Sequence, residues 1–420
     1  MIMRLLTALL LLCGVVLGGC GGSGSDTTVS VLGSWTGQEE VSFRAVLADF
    51  QKRTGIHVDY TGTRDARAVL ASELHDGRPP DTAVLSRIGD LRGYAAGGDL
   101  RPLSGLPHGA DDGLTTAAGP DGGRRPYGIV VKATVKSLIW YNPRTIPSGL
   151  RDRLTAPPRS WADLAEAAAE STGARPWCLG LADTSNSGWP GTDWIEDVLL
   201  HESGPEVYDA WVSGRLPWNS APVRNAWRAF GSVVAGARGG TNGILLTGYG
   251  QAGAPMFTDP PGCLLDHAGS FATAFYNQAA SRPQPGRDYD FIPFPGRRAV
   301  EIGGDVLGMF RDTPAARRLI AYLTTAHAQE IWIKRAGSGA FSLNRAVPPE
   351  RYPDRLSQRI AQTLTSAQTV RFDASDSMPT VMAAAFDHAV LEFAADPRDP
   401  RLDTILTALD QVRRTTRFPS

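Results

Sequence analysis

The sequence predicts an α/β protein whose sheet is mainly parallel. The first part of the chain alternates between β-branched runs and stretches with helical spacing of apolar residues. The β-like runs span 28–32, 56–60 and 82–85, and helical patterns cover 38–53 and 66–74. This order is typical of a parallel sheet covered by helices. A length of 420 residues leaves room for a second domain of comparable size.

Composition places the chain among ordinary soluble globular proteins. Hydrophobic residues make up 42% and charged residues 20%, which is close to average usage. The formal net charge is -1, from 42 basic and 43 acidic residues, and no long basic run occurs. We therefore expect no nucleic acid as the main partner.

Residues 1–19 have the features of a secretory signal. Arg4 provides the positive start, an apolar run covers 5–17, and Cys20 follows two glycines. This ending resembles a bacterial lipobox, which implies cleavage before Cys20 and a diacylglycerol on its sulfur. Residues 20–27 then form the lipidated end and a flexible tether. We expect an exported protein anchored to the outer face of the cell membrane. The alternatives are an ordinary signal peptide or a retained helix, although the apolar run is short for a membrane span.

Two cysteines remain once the signal is removed and Cys20 is lipidated. Cys178 and Cys263 would face an oxidising compartment, which favours a disulfide. The sequence does not show that they meet, so two free thiols stay the alternative.

The middle of the chain predicts a second α/β region. A β-rich run over 127–141 carries Lys132 and Lys136 in otherwise apolar sequence. Prolines follow, and Ser160 with Asp163 resembles a capping box at the start of a helix. Further helices are expected over 164–171, 195–202, 207–212, 223–237, 314–325, 328–335, 380–393 and 402–413, and further strands over 243–247, 263–266 and 306–310.

Loops at the strand ends form a candidate binding crevice. In a parallel sheet, ligands bind at the carboxyl ends of the strands. Those loops hold Trp35, the neighbours Arg64 and Asp65, and Arg87. We expect the first three to reach one crevice, whereas Arg87 could equally be an ordinary surface residue.

A second candidate lies within residues 187–197. A Gly-Trp-Pro-Gly run is unsuited to a helix interior, because proline lacks an N–H and glycine costs backbone entropy. We therefore predict Trp189 on an exposed turn and Asp193 at the start of the next helix. An indole beside a carboxylate suits a sugar, since the ring covers the C–H face of a pyranose and the carboxylate accepts from hydroxyls. The alternative is that the tryptophans are core residues, which we favour for Trp194.

Motifs of common enzyme classes are missing from the sequence. It contains no P-loop, no nucleophile elbow, no H-x-x-x-H and no C-x-x-C. A G-x-G-x-x-G match at 248–253 is followed by Pro255, so no dinucleotide-binding unit continues. We therefore predict no catalytic residues, no metal and no cofactor. A carboxylate pair for glycoside hydrolysis, drawn from Glu39, Asp193 and Asp305, stays open.

Several segments carry a family resemblance. They are Gly33-Ser34-Trp35-Thr36-Gly37, Thr54-Gly55-Ile56, Tyr60-Thr61-Gly62-Thr63-Arg64-Asp65, Pro79-Pro80-Asp81, residues 132–141, Trp177-Cys178-Leu179-Gly180, residues 189–197, Gly269-Ser270-Phe271 and residues 371–379. Together they resemble family 1 extracellular solute-binding proteins of ABC importers. The resemblance covers nearly all of the mature chain and looks closest to the α-glucoside-binding branch, within the maltose- and trehalose-binding group.

The resemblance implies a two-lobe periplasmic-binding-protein fold, type II-like, with discontinuous lobes around a hinge and a ligand cleft. Residues 28–131 and 301–340 would form the N-terminal lobe, and residues 132–300 and 341–420 the C-terminal lobe. The lobes would close over a sugar by a shift of population toward the closed state. The closed protein, a monomer, would then deliver the sugar to the transmembrane subunits of an ABC permease.

The resemblance also assigns ligand-binding residues. They are Trp35, Glu39, Arg64, Asp65, Lys132, Trp189, Asp193, Phe271, Asp305, Arg371 and Asp373. Lys132 stands near the place where maltose-binding relatives carry a carboxylate, and Phe271 stands where an indole often stacks. We expect a gluco-disaccharide or oligosaccharide, bound without chemistry. The alternatives are a secreted glycan-cleaving enzyme and a receptor for a non-sugar ligand such as a glycerol phosphodiester, for which Arg64, Lys132 and Arg371 carry the right charge.

Overall fold

The computed structural model describes residues 27–107, 113–155, 160–172, 175–335 and 338–418. The predicted signal and lipidation site lie outside these residues. Two clusters of buried apolar side chains hold the described part together. One includes Val31, Phe43 and Trp332, and the other includes Trp194 and Phe386.

The element order predicted for the first part is confirmed. The elements are β1 (Thr28–Gly33), α1 (Gly37–Thr54), β2 (His57–Gly62), α2 (Ala66–His75), β3 (Thr82–Leu85) and α3 (Ile88–Gly97). Helix α1 ends at Gly55, whose φ of 72° lies in the left-handed region. Glycine adopts that conformation at little cost, which explains the stop.

The β-rich run and the capping box are also confirmed. The elements are β4 (Thr116–Ala118), β5 (Arg124–Pro126), β6 (Gly128–Val135), β7 (Leu138–Tyr141), α4 (Ser148–Thr155), α5 (Trp161–Thr172) and β8 (Trp177–Cys178). At the start of α5, the backbone N–H of Asp163 donates to Ser160 Oγ at 3.2 Å. The Ser160 N–H donates to Asp163 Oδ2 at 3.1 Å, so aspartate fills the place of the usual glutamate.

Two local predictions in the next stretch are wrong. The elements there are α6 (Trp189–Val198), a π-helical turn (Leu199–Ser203), α7 (Pro205–Val212), α8 (Ala221–Gly236) and α9 (Gly240–Leu246). Trp189 begins α6 and is half-buried, so it is not on an exposed turn, and Asp193 lies inside the helix. Pro190 is tolerated because N–H groups of the first turn have no partner within a helix. Residues 243–247 are mostly helical, because Ile244 packs in the core and a short apolar run fits either structure.

The last part of the chain is mixed. Its elements are β9 (Leu265–His267), α10 (Ala272–Tyr276), β10 (Asp290–Pro293), β11 (Ala299–Met309), α11 (Pro314–Leu323), α12 (Ala326–Ile333), α13 (Arg355–Ser366), β12 (Thr369–Phe372), α14 (Ala374–Ser377), α15 (Thr380–Ala395) and α16 (Asp399–Thr415). A disulfide joins Cys178 at the end of β8 to Cys263 just before β9. The disulfide that the sequence left open is therefore present.

The strands form two main sheets. The first has the order β12-β11-β3-β1-β2, and β6 also pairs with β11. In it β1 runs parallel to β2 and β3, whereas β11 runs antiparallel to β3 and β6. The second has the order β10-β7-β9-β8. The predicted α/β class with two lobes matches this arrangement.

Segments that pass between the two sheets converge in one place. Residues 136–137 lead from β6 to β7, and Asp373 leads from β12 to α14. The backbone N–H of Lys136 donates to the Glu301 carbonyl at 2.8 Å, and that of Asp373 donates to the Ile302 carbonyl at 2.9 Å. These bonds tie the crossings to β11. The lobe boundaries stay a prediction, and β12 pairs in the first sheet although residues 341–420 were assigned to the C-terminal lobe.

Candidate ligand-binding cleft

A cleft of about 490 Å³ lies between the strand ends of the first sheet and helices packed on the second. Small-molecule sites typically measure about 300–1,000 Å³. The first wall consists of Leu32, Ser34, Arg64, Arg67, Ser86, Arg87, Asp90 and Asp305. The second wall includes Asp183, Asn186, Trp189 and Phe271, and the floor includes Lys136, Asp373 and Ser375. Asp376 and Asp387 also line the cleft.

The second wall is aromatic and fixed in position. The Trp189 indole N–H donates to Asp183 Oδ2 at 2.8 Å. The ring packs edge-on against Tyr249 and Phe271, with centroids 4.9 and 5.8 Å away. Gly188, directly before it, has a φ of 113°, and a Cβ there would collide with the Asp387 carbonyl oxygen. This close approach sets where α6, and hence the indole, enters the cleft.

The floor is organised around one buried cation. Lys136 Nζ donates to Asp193 Oδ1 at 3.0 Å and also to Asp373 Oδ2, and it lies 5.4 Å from the Trp189 ring centroid. Burial alone would lower the pKa of Lys136, but the two carboxylates raise it well above its usual value. The ammonium therefore stays charged next to the aromatic wall, where a cation–π contact is favourable.

More buried acids lie behind the floor. Glu196 accepts from the backbone N–H groups of Ala374 at 2.6 Å and Ser375 at 3.2 Å. Burial and neighbouring carboxylates raise the pKa of Glu196 and of Glu301 well above the usual range. Oxygens of Asp193, Glu301 and Asp373 lie within 4.8 Å of one another, as in a metal site. Lys136 already bonds two of these three carboxylates, so positive charge is present there.

A neighbouring carboxylate ties α6 to one of the crossings. Asp197, in α6, accepts from Ser137 Oγ at 2.5 Å and contacts His267 Nε2 at 2.7 Å. Burial would raise the pKa of Asp197, but His201 and His267 lower it far below the usual value. The carboxylate is therefore ionised, and it connects the helix that carries Trp189 to the segment between β6 and β7.

The first wall presents polar groups that are already oriented. Asp305 accepts from the Trp35 indole N–H at 3.0 Å and from Ser86 Oγ at 2.9 Å. A register shift in β11 falls directly after Asp305, and such bulges change the direction of a side chain. Trp35 itself is 2% exposed and packs against Phe43 and Trp332. It supports the wall from the core rather than lining the cleft.

One rim of the first wall is a charged cluster carried by α1, by the segment after β2 and by β6. Glu39 accepts from Lys132 Nζ at 2.6 Å and pairs with Arg64 at 3.2 Å. Burial would raise the pKa of Glu39, but Lys132 and Arg64 lower it overall. Lys132 lies opposite Asp305 in the β6–β11 ladder. Asp65 is exposed just before α2.

The structure brings together only part of the predicted site. Among the described residues, the cleft is lined by the predicted residues Arg64, Trp189, Phe271, Asp305 and Asp373. Five other predicted residues are not among the lining residues: Trp35, Glu39, Asp65, Lys132 and Asp193. Trp35 bonds Asp305, Glu39 bonds Arg64 and Lys132, and Asp193 bonds Lys136. Arg371 points elsewhere and forms a two-point ion pair with Asp209, at 2.6 and 2.8 Å.

Several lining residues escaped the prediction of the site. Ser34 and Ser86 follow β1 and β3, in loops that the rule of strand ends indicates, but neither serine is among the predicted site residues. Lys136 was visible as the second lysine of the β-rich run, and Arg87 was left undecided. Asp183 sits in an irregular segment before α6, and no sequence signal points to it.

The fold and the cleft define a class of protein. Two β-sheets covered by helices are joined by crossing segments, and a cleft with aromatic and polar side chains lies between them. This arrangement is typical of a receptor that encloses a small ligand. Within the described residues, no helix is long and apolar enough to span a membrane.

The family follows from sequence comparison. The chain matches the family described as bacterial extracellular solute-binding protein over residues 35–330, and it belongs to that family. Membership of an extracellular family implies export. This result confirms the family and the fold class predicted from the sequence.

Two relatives are similar over most of their length. The osmoprotective compounds-binding protein GgtB of Synechocystis sp. is 33% identical over 387 residues, which cover 87% of this chain and 89% of the relative. The alpha-glucosides-binding periplasmic protein AglE of Rhizobium meliloti is 32% identical over 390 residues, which cover 87% and 83%. Both are named as binding proteins, which supports a binding role at the level of the family.

Solved structures share the fold at lower identity. The bacterial solute receptor AcbH superposes with a TM-score of 0.74 at 18% identity, covering 93% of this chain and 99% of AcbH. The sugar-binding protein MalE of Xanthomonas citri gives 0.69 at 17% identity, covering 93% and 98%. These similarities establish the two-lobe architecture.

Proposed function

We propose that the protein captures a gluco-disaccharide or oligosaccharide of the α-glucoside type and delivers it to the permease of an ABC importer. The observation that carries this proposal is the opposition of the Trp189 and Phe271 rings to the Asp305 carboxylate across one cleft. Aromatic rings cover the C–H faces of a pyranose, and carboxylates accept from its hydroxyls. AglE, whose name refers to α-glucosides, supports the same ligand class.

The pairing of charges favours a neutral ligand over a phosphodiester. The cleft-lining cations each have a carboxylate partner: Arg64 has Glu39, Arg67 has Asp90, Arg87 has Asp376, and Lys136 has Asp193 and Asp373. A phosphate would have to compete with these carboxylates for the cations. Hydroxyl groups can instead bond to the paired groups without separating them.

We propose that binding involves no chemistry. Of the three acids that the sequence left open as a glycosidase pair, Asp193 is bonded to Lys136, and Glu39 to Lys132 and Arg64. Asp305 already accepts two hydrogen bonds. Closing the lobes would exclude water and strengthen hydrogen bonds to hydroxyls.

The proposed location is the outer face of the cell membrane, through a lipid on Cys20. This rests on the sequence pattern around Cys20 and on the extracellular family. Cys20→Ser should move the protein from the membrane fraction to the soluble exported fraction. Equal amounts in the membrane fraction for both proteins would contradict a lipid anchor.

The function is tested by calorimetry with α- and β-linked glucosides, matched galactosides and a glycerol phosphodiester. We expect one α-glucoside to bind and to be recovered unaltered. Ligand at one hundred times its dissociation constant should stabilise the fold by about 2.7 kcal/mol. Trp189→Phe, the matched control for Trp189→Ala, should keep most of the affinity because it retains an aromatic ring. Binding of the phosphodiester alone, or consumption of the sugar, would overturn the proposal in favour of the corresponding alternative.

A further inference from the structure

Three arginines, two on the first wall and one beside it, reach across to helices on the other side of the cleft. Arg87, just before α3, contacts Asp376 Oδ1 in α14 at 3.2 Å. Arg92 Nη1, in α3, donates to the Ser377 carbonyl oxygen at 2.9 Å. Arg67 Nη2, in α2, donates to Thr380 Oγ1 at the start of α15 at 2.8 Å.

The backbones on the two sides also come into close contact there. A Cβ on Gly89, in α3, would collide with the carbonyl oxygen of Met378, which follows α14. A second carboxylate, Asp387 in α15, lies 4.0 Å from the Arg87 guanidinium. Only a glycine at position 89 allows the helices to approach so closely while the arginines bond across.

The opposite rim is built differently. Arg64, also on the first wall, pairs at 3.2 Å with Glu39, which lies on α1 of the same lobe. Its charge is therefore neutralised without a partner from the other side of the cleft. Both rims carry guanidinium groups, but only one rim uses them to connect α2 and α3 to α14 and α15, through the Asp376 carboxylate, the Ser377 carbonyl and the Thr380 hydroxyl.

We propose that Arg67, Arg87 and Arg92 form an interlobe latch that holds one rim of the cleft together before any ligand binds. The latch keeps a fraction of the free protein in a closed-like state, so ligand enters through the opposite rim, between Arg64 and Trp189. Because binding then starts from a partly closed ensemble, less of the ligand's interaction energy is spent on closing the lobes. The inference does not depend on which ligand the cleft takes.

The test measures the distance between the lobes in the purified protein without ligand. Val41 on α1 is 49% exposed and Leu246 on α9 is 85% exposed, so spin labels at Val41→Cys and Leu246→Cys report on opposite sides of the cleft. We expect the wild type to contain a short-distance, closed-like population. Arg87→Met combined with Arg92→Met should reduce that population in favour of a longer distance. Arg92 does not line the cleft, so Arg92→Met alone should produce the same shift in smaller amount.

Arg64→Met is the matched control, because it removes a guanidinium from the rim without a cross-lobe bond. It should leave the distribution unchanged. Identical distributions for wild type and the double variant would overturn the latch, and so would an equal shift in Arg64→Met. Circular dichroism and the melting temperature verify that each variant is folded, and a triple variant with Arg67→Met repeats the test if the double variant unfolds.

Discussion

The two walls of the cleft are constructed in different ways. The first wall is a set of loops at the ends of strands, and its carboxylate Asp305 is held by Trp35 and Ser86. The second wall is the start of a helix, where Trp189 is held by Asp183 and by other rings. One wall offers directed hydrogen bonds and the other offers apolar area. We infer that the second wall supplies most of the affinity and that the first determines orientation.

The largest effect, a loss of folding stability, is expected at the floor, where the two walls meet. Lys136→Met leaves Asp193 and Asp373 buried without their cation, and breaking a buried pair in this way typically costs about 3–5 kcal/mol. Chemical denaturation should show this fall in the free energy of unfolding.

Lys132→Met is the control on the same strand. Its partner Glu39 is partly exposed and keeps Arg64, so the loss should stay below about 1 kcal/mol. Equal losses for the two variants would show that burial does not distinguish the floor from the rim.

Trp189→Ala should weaken sugar binding about 10- to 100-fold, or about 1.4–2.7 kcal/mol, because a central aromatic contact is removed. Calorimetry with the tightest-binding sugar measures this. Phe271→Leu, which keeps apolar area, should cost less. A larger loss from Phe271→Leu than from Trp189→Ala would move the main stacking surface to Phe271.

Asp266 and Tyr276, which lie behind the second wall, should make the free energy of unfolding depend on pH. Burial raises the pKa of Asp266 to about 7, and the hydrogen bond from Tyr276 lowers it only in part. The usual aspartate value is near 3.9. Between these two values the folded state retains a proton that the unfolded state has lost. The free energy of unfolding of the wild type should therefore fall as pH rises from about 4 to 7, by at most about 1.4 kcal/mol per pH unit.

Asp266→Asn removes that proton from the balance. The difference in free energy of unfolding between wild type and variant should decrease across the same pH range and become constant above it. Parallel curves from pH 4 to 8 would mean that the layer behind the aromatic wall is hydrated.

The smallest effect is expected at the first wall. Asp305→Asn keeps the size and one acceptor oxygen, so affinity should fall about threefold to tenfold, as for one hydrogen bond of about 1 kcal/mol. The affinity of the Ser86→Ala variant for the sugar should fall by no more than this. If Asp305→Asn lost more affinity than Trp189→Ala, the first wall rather than the second would supply most of the affinity.

The strand and helix order could be predicted because periodicity depends on local sequence. The tryptophans show where such prediction stops. Trp35 and Trp189 both lie beside glycines in candidate loops, yet Trp35 is buried by Trp332 of the distant helix α12, whereas Trp189 faces the cleft. The two lysines of the β-rich run show the same limit. Lys132 lies within β6, whereas Lys136 follows its last residue and reaches the floor of the cleft. The sequence does not show where β6 ends. Whether such a residue lines the cleft or is buried depends on contacts with residues far away in the sequence.

Helix α6 has a consequence for how an occupied cleft is sensed. Its first residue is Trp189, Asp193 in its middle bonds Lys136, and Asp197 near its end bonds Ser137. Ten residues of helix form a rigid rod about 15 Å long. If a ligand moved the indole, the helix would carry that movement to the crossing at Ser137. Residues that never touch a ligand can in this way determine how strongly it is held.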